Sequence, residues 1–133
     1  MRNRRRARAA VDSHVMHGVG LDLLDIARLE RALERRPALA RRLFSDGELA
    51  YAAEHGRPGQ HLAARFCAKE AVTKALGLDV LRPLEIEVVR DDAGRPSVAL
   101  AGAAAARAED LGATLLVTLT HTASTAGAVA VAV

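Results

Sequence analysis

The chain has 133 residues, half of them hydrophobic, which is enough for one globular domain with a single core. Only 2% of the residues are aromatic, which disfavours the stacking surfaces that bind single-stranded nucleic acid. The chain has 19 basic and 16 acidic residues, of which five basic residues and one acidic residue lie in 1–15. The rest of the chain therefore has 14 basic and 15 acidic residues and is nearly neutral, which argues against nucleic-acid binding by the whole protein.

Residues 1–15 form an arginine-rich leader without helical or strand periodicity. Like charges in a run favour disorder, so we expect a disordered leader at 1–15 and a folded domain at 16–133. The leader lacks the apolar segment of a secretory signal, and the chain has no run of about 18 apolar residues, so we expect neither export nor a membrane span. The lone Cys67 fits a reduced, cytoplasmic compartment.

Helical periods dominate the first half of the predicted domain. An apolar run with two glycines predicts a strand, and the pattern then changes from period 2 to period 3.6. Ser45 and Glu48 have the spacing of a capping box, and Gly77 is a natural helix end. The predicted elements are a strand at 17–23 and helices from 25 to the proline at 37, at 38–43, from 45 toward 54 and from about 60 to 76.

Strand patterns dominate the second half. Alternating side chains at 84–90 and a turn at 91–94 predict a hairpin whose second strand lies near 97–100. A helix is predicted at 101–111, followed by strands at 113–120 and 126–133. Helices first and mostly antiparallel strands later indicate an α+β domain, in which the sheet packs with one long helix and shorter helices.

The helix predicted at 60–76 has two unlike faces at 100° per residue. Small apolar side chains occupy one face, Glu70 and Lys74 lie opposite them, and Arg65 and Lys69 lie on a flank. Considered alone, an acid and a base four residues apart are an ordinary exposed pair, and for this helix by itself that interpretation is favoured.

A second acid changes that interpretation. Asp22 falls near the end of the first strand, after Gly18 and Gly20, and glycines there allow another backbone or a phosphate to come close. Mg²⁺ is commonly held by one or two carboxylates while substrate phosphates and water complete the octahedron, and basic residues beside such a pair suit a diphosphate. Asp22 and Glu70 are therefore candidate Mg²⁺ ligands.

Two segments resemble the motifs of a known family. The segment GVGLDLLDIAR at 18–28 is similar to the amino-terminal motif of the bacterial holo-acyl-carrier-protein synthases, and ARFCAKEAVTKALG at 64–77 is similar to their second motif. Both occur in order and at the family's spacing, and the similarity covers 16–133. The chain therefore resembles the single-length type of 4′-phosphopantetheinyl transferase, and the resemblance implies that family's fold.

The resemblance implies an enzyme of fatty-acid biosynthesis that transfers 4′-phosphopantetheine from coenzyme A to a serine of apo-acyl carrier protein, releasing adenosine 3′,5′-bisphosphate. It implies Mg²⁺ as cofactor, with Asp22, Glu70 and Lys74 as the catalytic residues and either Glu70 or a water near the metal as the base. Asp22 and Glu70 match the family's Mg²⁺ ligands, and Lys74 matches the lysine beside the diphosphate. Arg65 and His121 match positions at the adenosine end with its 3′-phosphate. Lys69 also falls among the positions that bind coenzyme A in the family. The histidines at 14, 17, 55 and 61 show no ligand spacing and receive no role.

Three arginines form a stripe on the helix that begins at residue 25. Arg28, Arg31 and Arg35 lie within about 60° of arc, opposite the apolar face. A solvated basic face is the ordinary interpretation of such a pattern. Acyl carrier proteins are acidic, and the family contacts its carrier through arginines matching Arg28 and Arg35, so we expect this stripe to bind the carrier.

Three functions remain open at this point. The first is the synthase, the second is a pantetheinyl transferase for a polyketide-type carrier, and the third is a non-enzymatic binder of anionic surfaces or nucleic acid through the leader. The resemblance also implies a homotrimer with active sites between subunits. In that arrangement we expect Asp22 and His121 to face Glu70 and Lys74 across chains.

Overall fold

The computed structural model describes residues 16–133, and the arginine-rich leader predicted at 1–15 lies outside the described residues. The α+β class is confirmed. In chain order the elements are β1 (Gly18–Asp25), α1 (Ile26–Arg35), α2 (Leu39–Leu43), α3 (Asp46–Ala53), α4 (Pro58–Ala75), a 3₁₀ turn (Pro83–Glu85), β2 (Ile86–Arg90), β3 (Pro96–Leu100), α5 (Gly102–Leu111), β4 (Leu115–His121) and β5 (Thr125–Ala132). Within 16–133, none of the helices has the length and apolar character needed to cross a bilayer.

Two antiparallel sheets form the β part of the fold. The larger has the strand order β1-β5-β4, and its register places Asp22 and Leu119 opposite the same β5 residue, Ala128. Strands β2 and β3 pair as a separate hairpin. Helix α4 packs across the larger sheet and also contacts α3 and β2, so it is the centre of the molecule.

Small residues let α4 lie very close to β1. A Cβ atom at Gly18 would overlap the carbonyl oxygen of Ala75, and one at Gly20 would overlap that of Ala71. The sequence allowed either another backbone or a phosphate to come close to these glycines, and the structure shows a helix backbone there. The side of the larger sheet that faces α4, here called the inner face, is built from buried alanines of β5 and these two glycines.

The opposite side of the same sheet, here called the outer face, is exposed. Its largest side chains are apolar, with exposed fractions of 61% for Val19, 58% for Leu21, 67% for Leu23 and 57% for Leu116. Period-2 alternation along β1 thus separates a closely packed face from an uncovered one.

Local signals in the sequence account for most element boundaries. Ser45 and Glu48 form both hydrogen bonds of the capping box at the start of α3. Asp25 caps α1 by accepting a hydrogen bond from the Ala27 backbone N–H at 3.1 Å. Gly112 takes a left-handed conformation, φ +63°, at the end of α5.

The strand predicted from 84 begins two residues later, at Ile86. Glu85 is held in the preceding 3₁₀ turn because it caps the start of α5. Its carbonyl oxygen accepts from Ala101 N at 2.9 Å and its side chain accepts from Ala104 N at 3.2 Å. A contact 19 residues along the chain thus overrides the local alternation.

Candidate active site

The acids predicted to act together come close within one chain. Helix α4 runs antiparallel to β1, so successive contacts pair Gly18 with Ala75, Gly20 with Ala71 and Asp22 with Cys67. Four residues of helix rise about 6.0 Å and two residues of strand about 6.6 Å, so the two elements stay nearly in step. Asp22 points from the inner face toward the part of α4 that carries Glu70.

Lys74 joins the two acids. Its Nζ donates a hydrogen bond to the Leu21 carbonyl oxygen at 2.9 Å and lies 3.5 Å from Asp22 Oδ1. About half of its side chain is exposed, so the ammonium group keeps two donors within reach of a ligand. The pair of Glu70 and Lys74 is therefore part of a three-residue group with Asp22.

The electrostatics of this group favour an added cation. Burial raises the pKa of the Glu70 carboxyl, the negative charge of Asp22 raises it further, and the Lys74 ammonium lowers it in part. A carboxyl group whose proton affinity is raised by a neighbouring carboxylate gains from any positive charge placed beside it. In 16–133 no group of three or more His, Cys, Asp and Glu side chains is arranged to hold a metal. The donor set is thus two hard oxygen ligands, which fits Mg²⁺ where substrate phosphates complete the coordination.

Cys67 lies beside Asp22 but is not a reactive thiol. Burial, chiefly, and the negative charges of Asp22 and Glu70 raise the pKa of Cys67 to about 12. It is fully buried, and its Sγ lies 3.7 Å from the Ala126 carbonyl oxygen. The side chain is protonated near neutral pH and serves packing between α4 and β5.

A second feature lies farther toward the start of α4. A cavity of about 220 Å³, here called the cationic pocket, opens between α3, α4, β2 and β4. Its lining side chains are a mixture of basic, polar and apolar residues. They include Tyr51, His61, Arg65, Arg90, Leu119 and His121.

Arg65 is the buried charge of the cationic pocket. Only 5% of the residue is exposed, and its guanidinium lies 4.0 Å from the centroid of the Tyr51 ring, with Arg90 on the same tyrosine at 4.8 Å. Burial lowers the pKa of Arg65, although the group stays charged at neutral pH. Its buried Nε has no hydrogen-bond partner among the described residues. An unpaired buried donor beside a cavity favours an anionic ligand.

The assignment of Lys69 to coenzyme A binding needs correction. Lys69 is fully buried, and its Nζ donates to Glu48 Oε1 at 2.7 Å, to the Pro83 carbonyl oxygen at 2.7 Å and to the Ile86 carbonyl oxygen at 2.6 Å. All three ammonium donors are therefore used inside the protein. Glu48 also accepts from the backbone N–H of Val88 at 3.0 Å, so the pair fastens α3, α4 and β2 together.

The arginine stripe on α1 lies in solvent. Arg28, Arg31 and Arg35 are all exposed, whereas Ile26 and Leu29 on the other side of the helix are buried. The structure thus leaves the stripe accessible to a macromolecular partner.

The expectation that Asp22 faces Glu70 and Lys74 across chains is wrong. Asp22 lies within ion-pair distance of Lys74 in the same chain, because β1 and α4 are direct neighbours. His121 lines the cationic pocket together with Arg65 of its own chain, and its placement across from another subunit stays a prediction.

Several pocket residues received no role from the sequence. Tyr51 and Arg90 lie 39 residues apart, and only the packing of α3 against β2 brings them together. His61 could have been predicted from the sequence as a pocket residue, because it precedes Arg65 by one helical turn and therefore lies on the same side of α4.

This architecture is shared with known proteins of one family. The 4′-phosphopantetheinyl transferase superfamily model matches residues 18–129. A holo-[acyl-carrier-protein] synthase of Moorella thermoacetica is 46% identical over 114 residues, covering 84% of this chain and 89% of that protein. The crystal structure of the Neisseria meningitidis holo-[acyl-carrier-protein] synthase matches at a TM-score of 0.79 and 28% identity, covering 90% of this chain and 99% of that one. The ACPS–CoA complex of Chronobacterium ammoniagenes matches at 0.78 and 29% identity, covering 90% and 97%.

Proposed function

The chain belongs to the 4′-phosphopantetheinyl transferase superfamily, and on that premise we propose that it is a holo-acyl-carrier-protein synthase. It transfers 4′-phosphopantetheine from coenzyme A to a serine of an apo-acyl carrier protein. The observation that supports this most directly is the grouping of Asp22, Glu70 and Lys74 on the same helix and sheet that carry the cationic pocket.

The reaction joins the serine oxygen of the carrier to the β-phosphorus of coenzyme A. The bond from that phosphorus to the bridging oxygen breaks, and adenosine 3′,5′-bisphosphate leaves with the bonding electrons. When bound by Asp22 and Glu70, Mg²⁺ supplies a Lewis acid that polarises the phosphoryl oxygens. The Lys74 ammonium group, half exposed beside Asp22, compensates charge that gathers on the diphosphate. Either Glu70 or a water beside it accepts the serine proton, and the proton thus leaves the attacking oxygen as the new bond forms.

We assign the adenosine end of coenzyme A to the cationic pocket. The unpaired Nε of Arg65 and the ring of His121 offer donors to a phosphate there, as the family resemblance implies for the 3′-phosphate. The CoA complex of a relative with a similar fold supports coenzyme A as the ligand. Positioning both substrates is the main work left to the protein, because no covalent intermediate is needed.

We further propose that the α1 stripe binds the carrier. Arg28, Arg31 and Arg35 are exposed and present three positive charges on one side of the helix. Such a surface steers an acidic partner and makes the encounter sensitive to salt. A carrier of fatty-acid biosynthesis is the proposed substrate, and a polyketide-type carrier is the alternative.

The outer face of the larger sheet supports a homotrimer. Val19, Leu21, Leu23 and Leu116 form an apolar surface on which water contacts large side chains. Contiguous apolar patches of this kind mark protein–protein contacts. The trimer itself follows the family resemblance, and the structure contributes the surface on which subunits would pack. We propose a cytoplasmic location for this assembly, in keeping with its single unpaired cysteine.

The decisive experiment is incubation of the full chain with coenzyme A, Mg²⁺ and apo-acyl carrier proteins, followed by intact-mass measurement. We expect the fatty-acid carrier to gain one phosphopantetheine group and a carrier whose acceptor serine is replaced by alanine to gain none. EDTA should abolish the gain, and undiminished transfer in EDTA would refute the Mg²⁺ assignment. Transfer to a polyketide-type carrier alone would favour the alternative, and no transfer to any carrier would refute the proposed function.

A further inference from the structure

A row of neighbouring rings runs past the cationic pocket, and three of them, Tyr51, His61 and His121, line it. The ring centroids of Tyr51 and His55 are 4.5 Å apart, those of His55 and His61 are 4.1 Å apart, and those of His61 and His121 are 6.1 Å apart. His55 Nδ1 donates a hydrogen bond to the Tyr51 carbonyl oxygen at 2.7 Å, because a carbonyl oxygen can only accept. His61 is therefore the ring between a hydrogen-bonded histidine and the one proposed to bind phosphate.

The side chains whose electrostatics act on the pKa of His61 are all basic. His55 faces it from the end of α3, Arg65 from the next turn of α4, Arg90 from β2 and His121 from β4. Burial lowers the pKa of His61 first, and these four basic neighbours lower it further. In the free protein near neutral pH the imidazole is accordingly neutral.

We propose that His61 is a further coenzyme A-binding residue, which takes up a proton from solvent as the 3′-phosphate enters the cationic pocket. This inference rests on the proposed function and deepens it. His61 lines the same cavity as Arg65 and His121, so a phosphate held by those two side chains lies beside it. The consequence is that selection of coenzyme A over its 3′-dephospho form depends on pH.

The driving force is reversal of the local charge. A phosphate monoester carries nearly two negative charges at neutral pH, since its second pKa is about 6. Such a group among Arg65, Arg90 and His121 cancels the repulsion that keeps His61 neutral. Binding the anion raises the affinity of His61 for a proton, and by linkage the proton raises the affinity for the anion by the same factor.

The test compares coenzyme A with 3′-dephospho-coenzyme A by calorimetric titration of the full chain. We expect the ratio of the two Kd values to rise in favour of coenzyme A by about threefold between about pH 8 and pH 6.5, because protonation of His61 then accompanies binding of the 3′-phosphate. We also expect proton uptake with coenzyme A, seen as a dependence of the heat on the ionisation enthalpy of the buffer, and less uptake with the dephospho form.

Two variants separate His61 from the phosphate's own titration. His61→Gln keeps hydrogen-bonding capacity, and His61→Phe keeps a ring in the row of rings. Neither side chain takes up a proton. Both should lose the proton uptake and most of the pH dependence of the Kd ratio. His17→Gln is the matched control, because His17 is exposed at the start of β1, and it should behave as wild type.

Each contrary result bears on a different claim. Wild-type proton uptake in both His61 variants would show that another group takes the proton and would overturn the inference, with the proposed function intact. Equal Kd values for the two ligands at both pH values would show that the 3′-phosphate does not occupy this pocket, and this too would overturn it. No binding of coenzyme A by the wild type would overturn both the inference and the proposed function.

Discussion

The two faces of the β1-β5-β4 sheet are made by alternate residues of the same strands, yet they have opposite characters. The inner face packs against α4 with glycines and alanines at the closest contacts, and Asp22 is its one acid. The outer face carries larger apolar side chains, such as Leu21 and Leu23, and lies open. Small side chains are therefore found where the contact is close, and large apolar ones where the chain has no partner of its own.

The two faces therefore place different requirements on their side chains. On the inner face the size of each side chain decides whether the helix and strand can meet at all. On the outer face Leu21 and Leu23 are more than half exposed within the chain, so their apolar character fits the association proposed above. Substitutions on the two faces should consequently fail in different ways.

The largest loss of stability is expected from Gly20→Ala on the inner face. The added Cβ would overlap the Ala71 carbonyl oxygen, which is helix backbone and cannot turn away. We expect the free energy of unfolding to fall by about 3 kcal/mol, as for overpacked cores, with the denaturant midpoint as the measurement. Gly56→Ala is the control, since nothing lies within 4 Å of a Cβ there, and it should change stability by less than about 1 kcal/mol. Equal effects would mean that the inner face has room to spare.

Asp22→Asn should separate chemistry from packing on that same face. The substitution keeps the size of the side chain and removes its charge, so we expect transfer to fall by about 1,000-fold with the melting temperature nearly unchanged. Glu70→Gln should behave alike. Because Asp22 and Lys74 lie together in one chain, mixing Asp22→Asn and Glu70→Gln proteins should restore no activity. Recovered activity on mixing would place the two acids in different subunits.

On the outer face, Leu21→Ser with Leu23→Ser should weaken association while leaving the subunit folded. Both side chains are more than half exposed in the single chain, and burying a leucine contributes about 1.5–3 kcal/mol. We expect the concentration for half-assembly to rise by about 100-fold, measured by light scattering. Val80→Ser, at an exposed apolar residue outside the sheet, is the control. A double variant that assembles like wild type would show that this face is not the interface.

The smallest effect is expected at the α1 stripe, which belongs to neither face. Arg28→Glu with Arg35→Glu should raise KM for the carrier by about tenfold and leave KM for coenzyme A unchanged, because exposed charges act mainly on the encounter. The variant should also lose most of its salt dependence. Equal changes in both KM values would exclude the stripe as the carrier site.

Elements with local signals were predictable from the sequence. The capping box of Ser45 and Glu48 and the apolar period of α1 needed only near neighbours, and both lie where the sequence placed them. Asp22 and Glu70 were also found as a pair, since two motifs placed them on adjacent elements. Their location in one chain was missed, because motif spacing does not say which strand lies under the helix.

Lys69 shows why other parts of the site could not be predicted from the sequence. A helical wheel assumes that one side of a helix faces water. Helix α4 has the sheet on one side and α3 with β2 on the other, so even its flank is buried. The carboxylate that compensates Lys69 is Glu48, 21 residues earlier, and no local pattern links the two. The same holds for the cationic pocket, whose rings come from three separate segments.

The contacts between α4 and β1 stay aligned because the helix and the strand advance by nearly the same distance from one contact to the next. Each step of four helical residues falls short of two strand residues by about 0.6 Å, so the contacts from Gly18 to Asp22 drift by only about 1.2 Å in total. A longer overlap would lose this alignment. Inserting or deleting one residue within 67–75 would instead rotate one part of the helix by about 100° relative to the other. In evolutionary terms, changes of length should therefore accumulate in the connecting segments and be purged from these two short stretches.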